Sequence, residues 1–357
     1  MTVGGDFFQM ISKQLLTSME KIRFGVIGTN FITDWVIAGA RQDPRFELSA
    51  VCSRTRERAD AFADRYAIPY RYTSLEEMAE SPHVDAVYIA TPNSLHASQA
   101  ILCMSRGRHV LCEKPLASNA AEVREMAAAS EKYGVTLMEA MKSTLTPNFR
   151  VLAEGLGKIG RVRRYVASYC QYSSRYDLFR SGQLTNTFNP EYSNGAVMDI
   201  GVYTIYPMVV LFGAPLQVSA SATLLPSGVD GQGTAVFRYD GMEASVAYSK
   251  ISDSYLPSEI QGEEGTIVID HISRMDRLSF IPRSTGNADR RGKTCPEDWS
   301  LPSARDVYYY EVAEFIDLVL SGRRESSVNT HRNSLLVISL IDEIRRQTGV
   351  VFPADGR

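Results

Sequence analysis

The sequence predicts an α/β protein of two domains, the first on a parallel sheet and the second on an open, largely antiparallel one. Three observations predict it. Over the first 140 residues short apolar runs alternate with helical patterns, the spacing of βαβ units. Runs such as "DAVYIA", Asp85 to Ala90, are apolar without alternation, as strands covered on both faces are. Beyond about residue 140 the period changes to alternation, as in "RVRRYVASYCQYS" from Arg161, the pattern of a half-exposed strand.

Taken in order, residues 1–18 precede Met19 and are set aside as an extension expected to be mobile. Strands are expected at Ile22–Ile27, Leu48–Cys52, Val84–Ala90, His109–Cys112 and Val135–Met138. Helical patterns lie between them, over about 31–41, 56–66, 75–80, 94–106 and 119–133. Residues 19–140 thus form the first domain and 141–357 the second. The second opens with a helix closed by glycines, "MKSTLTPNFRVLAEGLGKIG". "LQVSASATLLPS", a hairpin turning at Asp240-Gly241 and "GEEGTIVIDH" supply further strands. Helices near 307–320 and 332–347 follow, and the polar stretch 283–304 reads as a mobile loop.

Composition narrows the partners. Hydrophobic residues at 44% and charged residues at 22% are ordinary for a globular chain. With 38 Lys+Arg against 41 Asp+Glu, no basic excess argues for nucleic acid or an anionic membrane. No uninterrupted apolar run is long enough to cross a bilayer, and the start lacks the basic region and apolar core of a signal peptide. The five cysteines are scattered without a C-x-x-C pair. Reduced thiols, a cytoplasmic location and no metal are expected.

The chemistry is expected outside the carboxyl ends of the parallel strands, where such sheets bind ligands. The first turn, "GVIGTNFIT", brings Gly28 and the backbone of Thr29, Asn30, Phe31 and Ile32 to that edge. Laid on G-x-G-x-x-G, it has Asn30 and Thr33 at the second and third glycine positions. By itself this degenerate fingerprint fits a plain strand–turn–helix corner equally well. At the end of the second strand stand Ser53 and Arg54, with Arg56 and Arg58 close behind. A hydroxyl and a guanidinium suit a ribose 2′-phosphate. Glu47, at the spacing of an NAD-type ribose acid, precedes its strand instead of following it. The cofactor expected is NADP, with NAD open, and a solvated arginine-rich helix start is the competing reading.

Two more loops close strands: Thr91-Pro92-Asn93, with His96 opening the next helix, and Glu113-Lys114-Pro115. With "GVIGTNFIT" and "NGAVMDIGVYTIYPMVVLFG" they resemble the family of glucose-fructose oxidoreductase and inositol dehydrogenase, over nearly the whole chain from about Lys21. The resemblance implies a Rossmann domain and hydride transfer between a nicotinamide and a CH–OH or C=O carbon of a sugar, cyclitol or dihydrodiol. It also implies a homodimer or higher homo-oligomer, with the open sheet as the interface. Lys114 matches the family's active-site lysine. Asp199 matches its aspartate, and Tyr203 stands where many members have histidine, as in the branch containing dimeric dihydrodiol dehydrogenase.

Physically, Lys114 can stabilise developing oxyanion charge. Asp199 and Tyr203, four apart, share a helix face. A nearby ammonium would lower the Tyr203 phenol and fit it for acid–base work. Asn93 is placed beside the nicotinamide ribose, with Thr91, Pro92 and Glu113 around it. His96 is either a cofactor neighbour or a satisfied buried histidine. Lys142 follows the last parallel strand and is placed either at the substrate cleft or on the surface, and Arg175, Tyr176, Asp177 and Arg180 are candidates to meet a polyol. Two alternatives stand beside this reading: a non-catalytic cofactor-binding sugar sensor, and an oxidoreductase that never releases its cofactor.

Overall fold

The chain's structure is a computed structural model that describes residues 20–284 and 295–356. The extension 1–18 and the 285–294 part of the expected loop lie outside the described residues.

Six short runs pair side by side: β1 (Ile22–Ile27), β2 (Phe46–Cys52), β3 (Tyr70–Tyr72), β4 (Ala86–Ile89), β5 (His109–Glu113) and β6 (Leu137–Ala140). All are parallel, in the order β3-β2-β1-β4-β5-β6. The order reverses between β1 and β4, the switch point at which such sheets bind ligands. Strand β3, three half-buried residues, was not expected, because it is too short to show a period. β6 runs two residues later than the apolar run placed it, so Glu139 enters the core.

The helices between these strands are α1 (Phe31–Ala40), α2 (Arg56–Tyr66), α3 (Leu75–Glu80), α4 (His96–Ser105) and α5 (Ala120–Tyr133). Asn30, Thr55, Ser74 and Asn119 cap α1, α2, α3 and α5 by accepting a hydrogen bond from a backbone N–H two or three residues on.

The second sheet has eight strands: β7 (Val162–Cys170), β8 (Gln217–Leu224), β9 (Asp230–Arg238), β10 (Glu243–Ser249), β11 (Ser258–Gly262), β12 (Gly265–Ile269), β13 (Leu278–Pro282) and β14 (Glu297–Asp298). Their order is β14-β13-β12-β11-β7-β10-β9-β8, and every pairing is antiparallel except β7 with β10. The Asp240-Gly241 hairpin joins β9 to β10, with Gly241 at φ +71°. In chain order the remaining helices are α6 (Pro147–Gly155), α7 (Ser174–Arg180), α8 (Val202–Phe212), α9 (Val307–Leu320) and α10 (His331–Thr348). α8 and α10 cover one face of this sheet. The stretch Pro190–Phe212, mean hydropathy 1.6, has the length and apolarity of a membrane span, yet it is 78% buried within the protein.

Helix α9 leaves the second sheet and packs on α1. Its Val312, Phe315 and Ile316 share a core with Phe24, Val36 and Ile37 of the first layer. The approach is close at Gly39, where an added Cβ would lie 2.7 Å from the Cβ of Tyr308. This return puts Tyr308 at the edge of the parallel sheet.

Candidate active site

The cleft opens at the switch point, between the ends of β1, β4 and β5 on one side and the segment leading into α8 on the other. It encloses about 680 Å³.

On the first wall, Gly28 has φ +98°, a conformation that favours glycine, and an added Cβ would come within 2.6 Å of the Ala90 carbonyl oxygen. Asn30 and Thr33 have structural roles in place of the missing glycines. The Asn30 amide donates to the Ala90 carbonyl at 2.7 Å while its Oδ1 accepts from Ile32 N. The Thr33 hydroxyl donates to the Gly28 carbonyl at 2.8 Å and is fully buried. The turn is therefore tied by side chains where the fingerprint uses bare backbone, and Asn30 is engaged within the protein. Phe31 and Trp35 stay more than half exposed on the cleft side of α1.

The next two loops are stapled together. His96 is fully buried, with Nε2 2.9 Å from the Thr91 carbonyl and Nδ1 3.1 Å from that of Pro115. Burial pulls the imidazole below its ordinary value. His96 thus fixes the spacing of the Thr91 and Lys114 loops, the satisfied-histidine alternative. The Asn93 amide donates across the cleft to the Ser193 carbonyl at 2.8 Å. Glu113 accepts from the Tyr88 hydroxyl at 2.6 Å and from the Lys114 amide, and burial raises its carboxyl.

Lys114 is the centre of the arrangement. Its ammonium donates to the Asp199 carbonyl at 2.8 Å and to Asp199 Oδ1 at 3.1 Å. Lys250, at the end of β10, pairs with Asp199 Oδ2, so one carboxylate lies between two ammoniums. Burial alone would raise the Asp199 carboxyl, but Lys250 and Lys114 reverse this and hold it well below the carboxylate range. Burial pulls Lys114 down, and Asp199 with Glu113 more than restores it.

Asp199 does not sit on an ordinary α-helical turn. Val197–Gly201 is π-helical and runs into α8, inserting extra backbone at the residue that meets Lys114. Tyr203 still converges on the same point: its ring centroid is 5.0 Å from Lys114 Nζ and 5.6 Å from Lys142 Nζ. The expected lowering of this phenol is corrected. Burial first, and then Glu113, push it well above the ordinary tyrosine value, although two ammoniums lie close to the ring. Lys142 donates to the Tyr308 hydroxyl at 2.8 Å and is lowered by burial.

The other expected residues divide. Arg175 lines the cleft. Tyr176 packs against Phe188, and Asp177 and Arg180 face solvent beside each other. Ser53, Arg54 and Arg58 lie apart from the substrate end, past β2, where an adenosine ribose would lie in a doubly wound sheet. Arg56 and Arg71 are paired with Asp60, whereas Arg54 is exposed and forms no ion pair among the described residues. The sequence reading missed Lys250, Trp35, Tyr169, Gln171 and Tyr308, all on the cleft wall. They come from four separate places in the chain, Tyr169 and Gln171 alone being neighbours at the end of β7.

The glycine turn, the two stapled loops and the cationic end fit a nicotinamide dinucleotide laid across the switch point. Comparison with known proteins agrees. Residues 22–141 match the model of an oxidoreductase family with an NAD-binding Rossmann fold, and residues 155–268 match the GFO/IDH/MocA C-terminal domain. The chain is 52% identical to scyllo-inositol 2-dehydrogenase (NADP(+)) IolU of Bacillus subtilis, covering 94% of this chain and 99% of that one. It is 30% identical to mouse trans-1,2-dihydrobenzene-1,2-diol dehydrogenase over 94% and 99%. Levoglucosan dehydrogenase, solved with NADH and levoglucosan, shares the fold at a TM-score of 0.81 and 23% identity, over 92% and 98% of the two chains. By its two matched domains and its full-length relatives, the chain belongs to the GFO/IDH/MocA oxidoreductase family.

Proposed function

We propose that this NAD(P)-dependent oxidoreductase transfers hydride between NADP and a ring carbon of a cyclitol, with scyllo-inositol the leading substrate. The observation that carries the reading is the 52% identity to the Bacillus subtilis scyllo-inositol dehydrogenase across nearly the full length of both chains. The cleft supports it with ammonium, phenol and carboxylate groups around one small space.

When bound, the nicotinamide accepts hydride in oxidation and donates it in reduction. Lys114, held by the Asp199 that Lys250 also pairs with, offers its ammonium to the substrate oxygen and stabilises alkoxide character there. Tyr203 exchanges the proton. Its raised phenol suits the acid role in carbonyl reduction, and in alcohol oxidation it makes turnover climb with pH. Lys142 and Tyr308 orient the ring from the far side. We assign the 2′-phosphate to Ser53 and Arg54. The uncovered face of the eight-stranded sheet, where Val236 is 42% exposed, is our candidate for the homodimer interface in a cytoplasmic protein.

The test is reduction of NADP+ at 340 nm with scyllo-inositol, beside NAD+ and beside trans-dihydrobenzenediol. NADP+-dependent oxidation of the cyclitol is expected. Turnover of the diol alone would overturn the substrate, and a preference for NAD+ would overturn the 2′-phosphate assignment.

A further inference from the structure

The cleft does not end at the catalytic residues. Five side chains that line it, Trp35, Lys142, Tyr169, Gln171 and Tyr308, also line a second chamber of about 780 Å³ on their other side. They form a waist between two spaces. The cleft has to hold both the nicotinamide end and the reacting ring. The second chamber is then additional room, within the range of about 300–1,000 Å³ that encloses a drug-sized ligand.

We propose that this chamber is a subsite for a second polyhydroxylated ring, so that the enzyme accepts cyclitols carrying a glycosyl group; this rests on the function proposed above. Three features fix the class. First, its walls are aromatic: Trp35 and Tyr308, with ring centroids 6.3 Å apart, face the space together with Tyr169 and Tyr310. Flat faces with polar tips match a sugar ring, whose C–H faces are apolar and whose rim is hydroxylated. Second, Gln171 and the Tyr310 hydroxyl bring polar groups of donor and acceptor type to the chamber, while Asn148 and Ser273 on its wall are engaged within the protein. Third, the chamber's charged lining is mixed, with Asp276 and Asp306 beside Lys142, Arg274 and Arg305. The amino end of α9 opens beside it, but the Asp306 carboxylate already caps that end, accepting from Tyr308 N at 2.9 Å. Arg274 is likewise paired, with Asp276 at 2.8 Å. A neutral ring suits a lining that carries both signs of charge.

The test uses Ala38→Trp. Ala38 is exposed on α1 and lines the second chamber but not the cleft, so a large side chain fills the subsite without touching Lys114 or Tyr203. With NADP+, kcat/KM is measured for scyllo-inositol and for its O-glucoside. The wild type is expected to oxidise both. Ala38→Trp is expected to lower the glucoside value by at least about tenfold, the size of one lost pocket contact, and to leave the free cyclitol within about twofold. An inert glucoside beside an active cyclitol, or equal losses for both, would overturn the subsite while the proposed function stands. If neither compound is oxidised, that function has failed, and calorimetric titration with cellobiose decides the subsite. Binding that disappears in Ala38→Trp supports it, and no binding, or tighter binding of glucose 6-phosphate, overturns it.

Discussion

Replacing Asp199 with asparagine removes the carboxylate that Lys114 and Lys250 share and keeps its shape. Both ammoniums are nearly enclosed, their side chains 12% and 11% exposed, so Lys250 loses its counter-charge and Lys114 the nearer of its two, Glu113 remaining, in a poor solvent. Breaking a buried ion pair from one side costs about 3–5 kcal/mol. Two details favour the low end, about 3 kcal/mol: the Asp199 side chain is itself 28% exposed, and Lys114 keeps its 2.8 Å bond to the Asp199 carbonyl. With an unfolding entropy of about 2.1 cal/mol/K per residue over 357 residues, that is a loss of roughly 4 °C in melting temperature. The assay is scanning calorimetry of wild type, Asp199→Asn and Asp199→Asn/Lys250→Met. The double variant removes one stranded ammonium and should regain at least half of the loss. The pH dependence has a definite sign. The wild-type carboxyl lies below its ordinary 3.8, so its contribution is present above that pH and is lost as pH falls toward the folded value. The gap between wild type and Asp199→Asn should therefore narrow in acid. A double variant no more stable than the single one would refute the charge-sharing argument.

Four further outcomes are expected. Tyr203→Phe should lower kcat by about 10²–10⁴ while leaving cofactor affinity unchanged, measured by fluorescence titration with NADPH. Gly28→Ala should abolish cofactor binding or folding, since its Cβ would meet the Ala90 oxygen at 2.6 Å at φ +98°; thermal melts with and without NADPH separate the two. Burial raises Glu139 to about 7 from 4.5, so its contribution is complete below 4.5 and declines as pH rises through 7. Relative to Glu139→Gln, the wild type should lose about 3 kcal/mol across that window in denaturant titrations. Arg54→Ala should weaken NADP+ by about 1.5–3 kcal/mol, the worth of a hydrogen bond to a charged group, and leave NAD+ unchanged, read from KM values.

Much of this was legible in the chain because it is local. Apolar runs bounded by turns gave five of the six parallel strands, and the caps Asn30, Thr55 and Ser74 mark helices that periodicity had already found. Lys114 and Asn93 were legible because strand ends in a doubly wound sheet have a known destination. The π turn at Val197–Gly201 was not, since one inserted residue leaves an apolar pattern intact while shifting its geometry. Lys250 was not, because a lysine after a hairpin strand looks like any surface lysine until its carboxylate partner, 51 residues earlier, is known. The direction of the Tyr203 shift failed for a related reason: proximity of cations was foreseen, but not the burial and the neighbouring Glu113 that outweigh them.

The return of α9 onto the parallel sheet also sets an order of events during synthesis. Strands β1 to β6 leave the ribosome first, yet part of their core is made of Val312, Phe315 and Ile316, some 170 residues behind β6 in a chain that grows from its amino end. Until that helix emerges, the nascent nucleotide half carries an uncovered apolar face beside Val36 and Ile37, a surface for a chaperone to hold. An amino-terminal fragment cut after β6 should expose the same face permanently and aggregate, whereas one that also supplies α9 as a tethered segment should stay dispersed.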